Sequence, residues 1–285
     1  MRIAIIVNLE KNNAKEVTDK IIDLFAKENA EIIMDERCKN VFRQDKIKFL
    51  QNHDEIMKHS DAAVAVGGDG TIIHNAKHAS KAGVPIIGVN IGRLGFVSGI
   101  ETNEVNELSR ILTGDYTIEK RMMLEITVHN DNNILKFNAI NDAVISRGAL
   151  SRIIDLSVSI NNQTISHYRA DGLLLSTPTG STAYALSAGG PVIQPDMECI
   201  LLTPVCPHSL FARPVLFSSN ELITVEAIQA DCDEIFLTID GQTSIPILSH
   251  HKIEIKKADI SLNMIKLKDK NFYSLLNEKL KERVD

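Results

Sequence analysis

The chain of 285 residues has no tryptophan, only 5% aromatic residues and four cysteines. The cysteines show no C-x-x-C spacing, which argues against the disulfide framework of a small secreted domain. The chain starts directly with a strand-like stretch, Arg2–Val7, and shows no small-residue cleavage site of a secretory signal. We therefore expect a reduced, cytoplasmic protein.

Long apolar runs and basic clusters are also missing. Stretches such as Ile3–Val7 and Ala62–Val66 are far shorter than the roughly 20 residues that cross a bilayer. The 31 lysines and arginines are outnumbered by 37 acidic residues, which gives a net charge of −6 without a dense basic block. We therefore expect neither a membrane nor a nucleic acid as a partner.

Composition and length indicate a folded protein of two domains. Hydrophobic residues make up 44% of the chain and charged residues 24%, which is typical of globular proteins. The first hundred residues alternate between strand and helix patterns, with Ala14, Val17, Ile21 and Phe25 at helical spacing. Because the strands are apolar on both faces, a parallel sheet covered by helices is expected. These predicted strands are Arg2–Val7, Ala30–Met34, Ala62–Val66 and Pro85–Val89.

The pattern changes after residue 100. One more helix is predicted over Glu101–Thr113, and strands with polar turns follow, including a hairpin of Leu156–Ile160 with Gln163–Tyr168. We predict an α/β fold: an N-terminal doubly wound parallel-sheet domain over residues 1–100, then a second, β-rich and mainly antiparallel domain over residues 101–269. A C-terminal helix within 270–285 is expected to pack back on the first domain.

A glycine-rich turn follows the third predicted strand, at Gly67-Gly68-Asp69-Gly70-Thr71. Glycines allow a positive φ and let a ligand approach the backbone closely. The start of the following helix presents N–H groups that suit a phosphate, and the carboxyl end of a parallel strand is where open α/β sheets bind ligands. We therefore predict phosphate binding at Gly67, Gly68, Gly70 and Thr71.

Asp69 is unexpected in such a turn, because a carboxylate repels phosphate. It has a purpose if it holds a metal ion or accepts a proton from an attacking hydroxyl. The alternative is that Asp69 only caps the following helix. Neither the G-x-x-x-x-G-K-[ST] motif nor G-x-G-x-x-G is present, and G-x-S-x-G is absent as well.

Two motifs carry a family resemblance. Gly67–Thr71 resembles the turn shared by NAD kinases, diacylglycerol and sphingosine kinases and 6-phosphofructokinases, and Asp171–Pro191 resembles the second signature of bacterial NAD kinases. Other matching stretches follow in the family's order, so the resemblance covers almost the whole chain. These are Gly88–Phe96, Asn141–Asp142, Pro207–His208, Arg213–Pro214 and Asp240–Gln242.

The resemblance implies an enzyme that transfers the γ-phosphoryl group of ATP to the 2′-hydroxyl of the adenosine ribose of NAD, giving NADP. Some members of the family use inorganic polyphosphate instead of ATP. A divalent metal, Mg²⁺, is expected, as are homodimers or homotetramers. Asp69 matches the family's proton acceptor and would act as the catalytic base. The residues that hold ATP and the metal are not assigned.

The resemblance also implies a set of NAD-binding residues. Asp142 departs from the family, which has Glu there, so its reach is one methylene shorter. The set consists of Asp69, Gly70, Asn141, Asp142, Arg152, Arg169, Asp171, Thr182, Ala183, Tyr184, Ala185, Leu186, Ser187 and Gln242. His74 is predicted to contact NAD as well, because it lies one helical turn after Asp69. His74 and His78 have the spacing of metal ligands, but no Glu follows His74 as in H-E-x-x-H, and a zinc site is not predicted.

Two other functions stay open from the sequence. A lipid kinase shares the glycine-rich turn, although this chain has no basic or strongly amphipathic segment to face a membrane. A non-catalytic regulator would bind NAD without forming NADP, although a binding protein has little use for a carboxylate beside phosphates. An assay of NADP formation separates these functions from an NAD kinase.

Overall fold

The protein is described by a computed structural model over residues 1–42, 46–92, 95–97, 99–130, 133–149, 152–228, 234–268 and 271–281. It consists of two compact units, Met1–Lys120 with Leu262–Asp285, and Arg121–Ser261. The sequence pattern put the boundaries at residues 100 and 269 instead. The difference arises because Val105, Leu108 and Ile111 belong to the core of the first unit, as do Ile265 and Leu267.

Most of the secondary-structure elements that the structure describes are strands. In chain order they are β1 (Arg2–Val7), β2 (Glu31–Asp35), β3 (Ile47–Leu50), β4 (Ala62–Gly67), β5 (Ile86–Asn90), β6 (Ile100–Glu101), β7 (Thr117–His129), β8 (Ile134–Ala139), β9 (Asp142–Arg147), β10 (Ile154–Ile160), β11 (Gln163–Ala170), β12 (Gly172–Ser176), β13 (Cys199–Val205), β14 (Val215–Ser218), β15 (Ile223–Ala227), β16 (Ile235–Ile239), β17 (Thr243–Ile247) and β18 (Lys252–Lys266).

Helices are fewer than strands among the described residues. The α-helices are α1 (Ala14–Lys27), α2 (His53–Lys58), α3 (Asp69–Ala82), α4 (Ser109–Thr113), α5 (Tyr184–Ser187) and α6 (Phe272–Lys281), and 3₁₀ helices cover Glu36–Cys38, Thr102–Leu108 and Gly180–Thr182. Within the described residues, no helix is long and apolar enough to span a bilayer.

The first unit is the predicted parallel α/β domain. Its strands lie in the order β3-β2-β1-β4-β5-β6, and all of these neighbours are parallel. Helix α1 buries Val17, Ile21 and Phe25 in the core beside the strands, as the helical spacing predicted. The short elements β3 and α2 were not predicted, because four and six residues are too few for a clear period.

The second unit is the predicted β-rich domain, and it consists of two sheets packed face to face. One sheet has the strand order β11-β10-β15-β18-β7-β8, and the other has the antiparallel order β14-β13-β12-β9-β16-β17. Strand β12 shows how the core forms, because alternate side chains of a strand point to opposite faces. Leu173 and Leu175 join the core between the sheets, whereas Leu174 packs on the other face with Ala185.

The predicted hairpin is also confirmed. Strands β10 and β11 form the antiparallel hairpin, and Asn161 and Asn162 at its turn have positive φ values of 49° and 68°. Helix α6 clusters with the first unit, where the ammonium of Lys279 lies 4.3 Å from the ring centre of Phe96. Residues 282–285, the last of the range predicted for this helix, lie outside the described residues.

Candidate active site

In the first unit, the glycine-rich turn joins β4 to α3 at the carboxyl end of the parallel sheet. Gly67 is the last residue of β4, Gly68 is the N-cap of the helix, and Asp69 is its first residue. The first N–H groups of a helix have no partner within it. Of these, the N–H of Thr71 already donates to the carbonyl oxygen of Gly68 at 2.9 Å. A phosphate at this helix start would therefore bind the N–H groups before Thr71.

The three glycines of this turn do not adopt a positive φ. Gly67 is required for a different reason, since an added Cβ would lie 2.1 Å from Oγ1 of Thr71. An added Cβ at Gly68 or Gly70 would meet no atom within 4 Å. Their backbone is therefore open to a ligand, whereas Gly67 is needed for packing.

The carboxylate of Asp69 connects the turn to the segment that follows β5. Its Oδ2 accepts a hydrogen bond of 2.7 Å from the backbone N–H of Phe96, and its Oδ1 accepts one of 3.1 Å from Val97. The N-cap of the helix is Gly68, which has no side chain to act as a cap. The two bonds of Asp69 reach beyond its own helix, so capping alone does not account for its carboxylate.

His74 lies exposed on α3, one turn after the glycine-rich turn. Its ring packs edge to face against His53 at 5.8 Å between centroids, and His78 packs against the same ring at 5.6 Å. Nδ1 of His78 is 2.6 Å from Oδ1 of Asp54. The three rings thus form a local cluster supported by an acidic partner.

In the second unit, a cleft of about 420 Å³ opens at one end of the antiparallel sheet. Asp142 is the first residue of β9 and Asn141 directly precedes it, and β9 is flanked by β12 and β16. Because the neighbouring strands are antiparallel, the start of β9 lies beside the ends of the other two. The cleft is lined by Asn141, Asp142, Val144, Ser146, Ala183, Tyr184, Thr238, Asp240 and Gly241. The structure thereby brings together four of the predicted NAD-binding residues: Asn141, Asp142, Ala183 and Tyr184.

Asp142 is an unusual carboxyl group, because only 5% of its surface is exposed. Burial, together with the nearby charge of Asp240, raises the pKa of Asp142 from 3.8 to about 7. Removal from water disfavours the charged form, and a second carboxylate disfavours it further. Near neutral pH this group is therefore able either to donate or to accept a hydrogen bond.

The segment over residues 182–187 contributes fewer side chains to the cleft than the family signature implies. Ala183 and Tyr184 line it, and Tyr184 is 45% exposed. Ala185 is fully buried in the core behind the sheet, so its side chain is not available to a ligand. Thr182, Leu186 and Ser187 do not line this cleft. The hydroxyl of Thr182 donates to the carbonyl oxygen of Thr179 at 3.1 Å.

The basic and acidic residues carried over from the family lie outside this cleft. Asp171 forms an ion pair with Arg147, whose Nε is 2.6 Å from Oδ1 of the carboxylate. Arg169 is exposed on β11, and Arg152 is exposed just before β10. Gln242 is exposed in the turn after β16, next to the lining residue Gly241.

The described residues contain no group of three or more His, Cys, Asp and Glu side chains that would enclose a metal ion. Magnesium usually keeps several waters and binds through one or two carboxylates together with the substrate's phosphates. A cation that arrives with a nucleotide would need only one or two carboxylates of the chain, whereas the described residues offer no zinc ligand set.

Three contributors were not indicated as site residues by the sequence. Asp240 and Thr177 belong to stretches that match the family, Asp240–Gln242 and Asp171–Pro191, but neither was placed among the NAD-binding residues, and Arg147 was not considered. Asp240 and Thr177 hold the backbone of the segment that carries Asn141, through contacts at 2.8 Å and 2.9 Å. The Asp-Gly pair after an alternating strand was the available signal, but it predicts a turn and no long-range partner.

Comparisons with known proteins agree with both units. The family model for the ATP-NAD kinase N-terminal domain matches residues 3–116, and the model for the C-terminal domain matches residues 140–267. An NAD kinase of Thermoanaerobacter sp. (strain X514) is 39% identical over 284 residues, covering 99% of each chain. An NAD kinase of Caldanaerobacter subterraneus subsp. tengcongensis is 40% identical over 284 residues, with the same coverage.

Solved structures share the fold. A yeast NADH kinase crystallised with NADH superposes with a TM-score of 0.89 at 24% identity, covering 99% of this chain and 87% of the yeast chain. An NAD kinase from Archaeoglobus fulgidus in complex with ATP has a TM-score of 0.77 at 24% identity, covering 99% of each chain. Family models that match both units, together with relatives near 40% identity over the full length, show that the chain belongs to the NAD kinase family of enzymes.

Proposed function

We propose that the chain transfers the γ-phosphoryl group of ATP to the 2′-hydroxyl of the adenosine ribose of NAD, with Asp69 as the general base. The observation that carries this proposal is the position of Asp69. Its carboxylate stands at the start of α3, between glycines whose backbone is open to a ligand, and two N–H donors restrict its orientation. A held carboxylate beside a phosphate-binding helix start suits proton abstraction from an incoming hydroxyl.

The chemistry divides between positioning and proton transfer. A ribose hydroxyl is a weak nucleophile until a base accepts its proton, and general-base catalysis contributes roughly 10²–10⁴-fold. Phosphoryl transfer passes through a loose transition state, so alignment and charge neutralisation supply most of the remaining rate. The proposal requires Asp69 to come within hydrogen-bond distance of the 2′-hydroxyl in the complex with NAD.

The cleft of the second unit is proposed to hold NAD. Asn141 and Asp142 offer an amide and a carboxyl to vicinal ribose hydroxyls, and the exposed ring of Tyr184 offers a stacking face for a base. A volume of about 420 Å³ lies within the usual range of small-molecule sites. His74, Arg152, Arg169, Asp171 and Gln242 stay predictions as NAD contacts.

Mg²⁺ is proposed to arrive with ATP, and it would neutralise negative charge on the transferring phosphoryl group. Gly68 and Gly70 would bind phosphate oxygens through their N–H groups. Inorganic polyphosphate as a second donor, a homodimer or homotetramer, and a cytoplasmic location stay predictions from the family resemblance.

The decisive experiment incubates the purified protein with NAD, Mg²⁺ and either ATP or polyphosphate. NADP is measured with an NADP-specific dehydrogenase, and ³¹P NMR locates the new phosphate on the ribose. We expect a 2′-phosphate with ATP and no product from an NAD analogue whose adenosine ribose is 2′-deoxy. Phosphorylation of that analogue would contradict the proposed acceptor. Parallel reactions with diacylglycerol vesicles, and NAD binding measured without ATP, test the lipid kinase and regulator alternatives.

A further inference from the structure

Asp240 makes a contact that its position in a turn does not require. Its Oδ1 accepts hydrogen bonds from the backbone N–H groups of Asn141, at 2.8 Å, and Asp142, at 3.0 Å. Its Oδ2 accepts one from Ile140 at 3.0 Å. One side chain thus holds three consecutive N–H groups about a hundred residues away in the sequence.

The same segment is held from its other side by the loop after β12. Thr177 donates its N–H to the carbonyl oxygen of Asn141 at 2.9 Å and its hydroxyl to that of Ile140 at 2.6 Å. Gly180 packs directly against this backbone, since an added Cβ would lie 2.1 Å from the carbonyl oxygen of Asn141. The N–H groups of Ile140 and Asn141 therefore bond to Asp240, at the end of β16, and their carbonyl oxygens bond to Thr177, at the end of β12.

The turn itself does not explain why residue 240 is an aspartate. Asp240 and Gly241 have φ values of 49° and 66°, and the N–H of Gln242 donates to the carbonyl oxygen of Ile239 at 2.9 Å. This is a hairpin turn with two positive φ values, in which Asn-Gly serves as well as Asp-Gly. A carboxylate here also stands near the buried Asp142, and two like charges close together are unfavourable. Its hydrogen bonds to the three N–H groups supply the compensating interaction.

We infer that Asp240 and Thr177 are positioning residues, which hold the backbone of residues 140–142 so that Asn141 and Asp142 present their side chains to NAD in the cleft. This inference rests on the proposed NAD site. Pre-organised backbone lowers the cost of binding, because less conformational freedom is lost when the ligand arrives.

The variant Asp240→Asn tests the inference without disturbing the turn, because asparagine also accepts a positive φ. It should be assayed freshly purified, since an Asn-Gly pair deamidates. We expect the KM for NAD to rise about 10-fold or more, and the KM for ATP to change by less than about 3-fold. Asp142, Asp240 and Tyr184 are the titratable side chains that line the cleft. Loss of the Asp240 charge should therefore also move the pH dependence of the KM for NAD to lower pH.

A purely structural role is separated by a matched control. Asp61→Asn also removes a carboxylate that accepts a backbone N–H, from Arg2 at 2.8 Å, but it lies in the first unit. If Asp240→Asn lowers the melting temperature as Asp61→Asn does and leaves the KM for NAD and its pH profile unchanged, the inference is overturned.

The Thr177 side gives a second test that does not depend on the folding of Asp240→Asn. Thr177→Val should raise the KM for NAD, whereas Thr177→Ser keeps the hydroxyl and should stay within about 3-fold of the wild type. Equal KM values for the two variants would overturn the inference.

Asn141→Ala and Asp142→Asn are measured in parallel. If these leave the KM for NAD unchanged, the proposed NAD site fails and the inference with it; if they raise it while the Asp240 and Thr177 variants do not, only the inference fails.

Discussion

Oδ2 of Asp69 accepts a 2.7 Å hydrogen bond from the backbone N–H of Phe96, the residue whose ring lies under the ammonium of Lys279. The carboxylate proposed as the base therefore also holds the segment after β5. A variant at this position is expected to change both turnover and stability, and the two effects are measured separately. Loss of the base lowers turnover, whereas loss of the loop contact lowers stability.

Asp69→Asn tests the base. The amide keeps one oxygen that accepts an N–H, but it does not take up a proton from a hydroxyl. We expect kcat to fall by about 10²–10⁴-fold with NAD affinity changed by only a few-fold. Turnover at saturating substrates and NAD binding by calorimetry measure the two effects. The exposed Asp19, paired with Lys15 on α1, provides the control Asp19→Asn with unchanged turnover. Near-normal turnover of Asp69→Asn would reject the base.

Gly180→Ala tests the close backbone contact between Gly180 and Asn141, which lines the cleft proposed to hold NAD. The added Cβ overlaps the carbonyl oxygen of Asn141 at 2.1 Å, and backbone has little freedom to move away. We expect the free energy of unfolding to fall by about 3 kcal/mol, the upper end of typical overpacking costs. Gly68→Ala is the matched stability control, because its Cβ meets no atom within 4 Å. Denaturant unfolding curves compare the two variants, and equal midpoints would refute the predicted clash.

Titration of Asp142 should make the free energy of unfolding depend on pH between about pH 4 and pH 7. Its pKa is raised in the folded protein from 3.8 to about 7, so the folded state holds an extra proton between about pH 4 and pH 7. Its contribution to stability is therefore lost as the pH rises through that window. A shift of about three pKa units corresponds to roughly 4 kcal/mol.

The variant Asp142→Asn removes this titration. Its free energy of unfolding relative to the wild type should increase from pH 4 to pH 7 and then stay level. Asp61 provides a control of opposite sign, because the Arg2 guanidinium and backbone N–H lower its pKa. Asp61→Asn should instead lose stability relative to the wild type as Asp61 ionises. Unfolding in urea at several pH values measures both, and parallel pH curves for Asp142→Asn and the wild type would contradict the raised pKa.

Tyr184 should contribute to NAD binding without contributing to stability. Its side chain is 45% exposed and lines the cleft, so it buries little surface without a ligand. Stacking of a base on an aromatic ring is worth about 1–3 kcal/mol. Tyr184→Ala should therefore raise the Kd for NAD about 10-fold or more, with the melting temperature unchanged. Tyr184→Phe keeps the ring and should bind nearly normally. A Kd for Tyr184→Ala equal to the wild-type value would exclude stacking.

Much of the fold was predictable because its signals are local. The strands Arg2–Val7 and Ala62–Gly67 are apolar runs bounded by polar residues, and α1 repeats apolar side chains at helical spacing. The hairpin of β10 and β11 follows from two asparagines between β-prone runs. The domain boundary was less predictable, because it depends on which core the residues around Val105 join.

The candidate site was predictable only in part, for the same reason. The motifs at Gly67–Thr71 and Asn141–Asp142 depend on adjacent residues, and they indicated a phosphate-binding turn and an NAD-binding pair. Ala185 was predicted to contact NAD, but the structure buries its side chain in the core. Whether a side chain at this position faces the cleft or the core depends on the sheet behind it.

The sequence by itself determined the alternation of strands and helices in the first unit, the glycine-rich turn and the family, since each depends on residue type and spacing along the chain. Tertiary structure alone decided that the Asp240 carboxylate meets the N–H groups of residues 140–142, and that Gly180 must be small against Asn141. These contacts join the ends of three separate strands, and no local pattern specifies them. They exist because antiparallel pairing brings the end of β16 and the end of β12 to the start of β9.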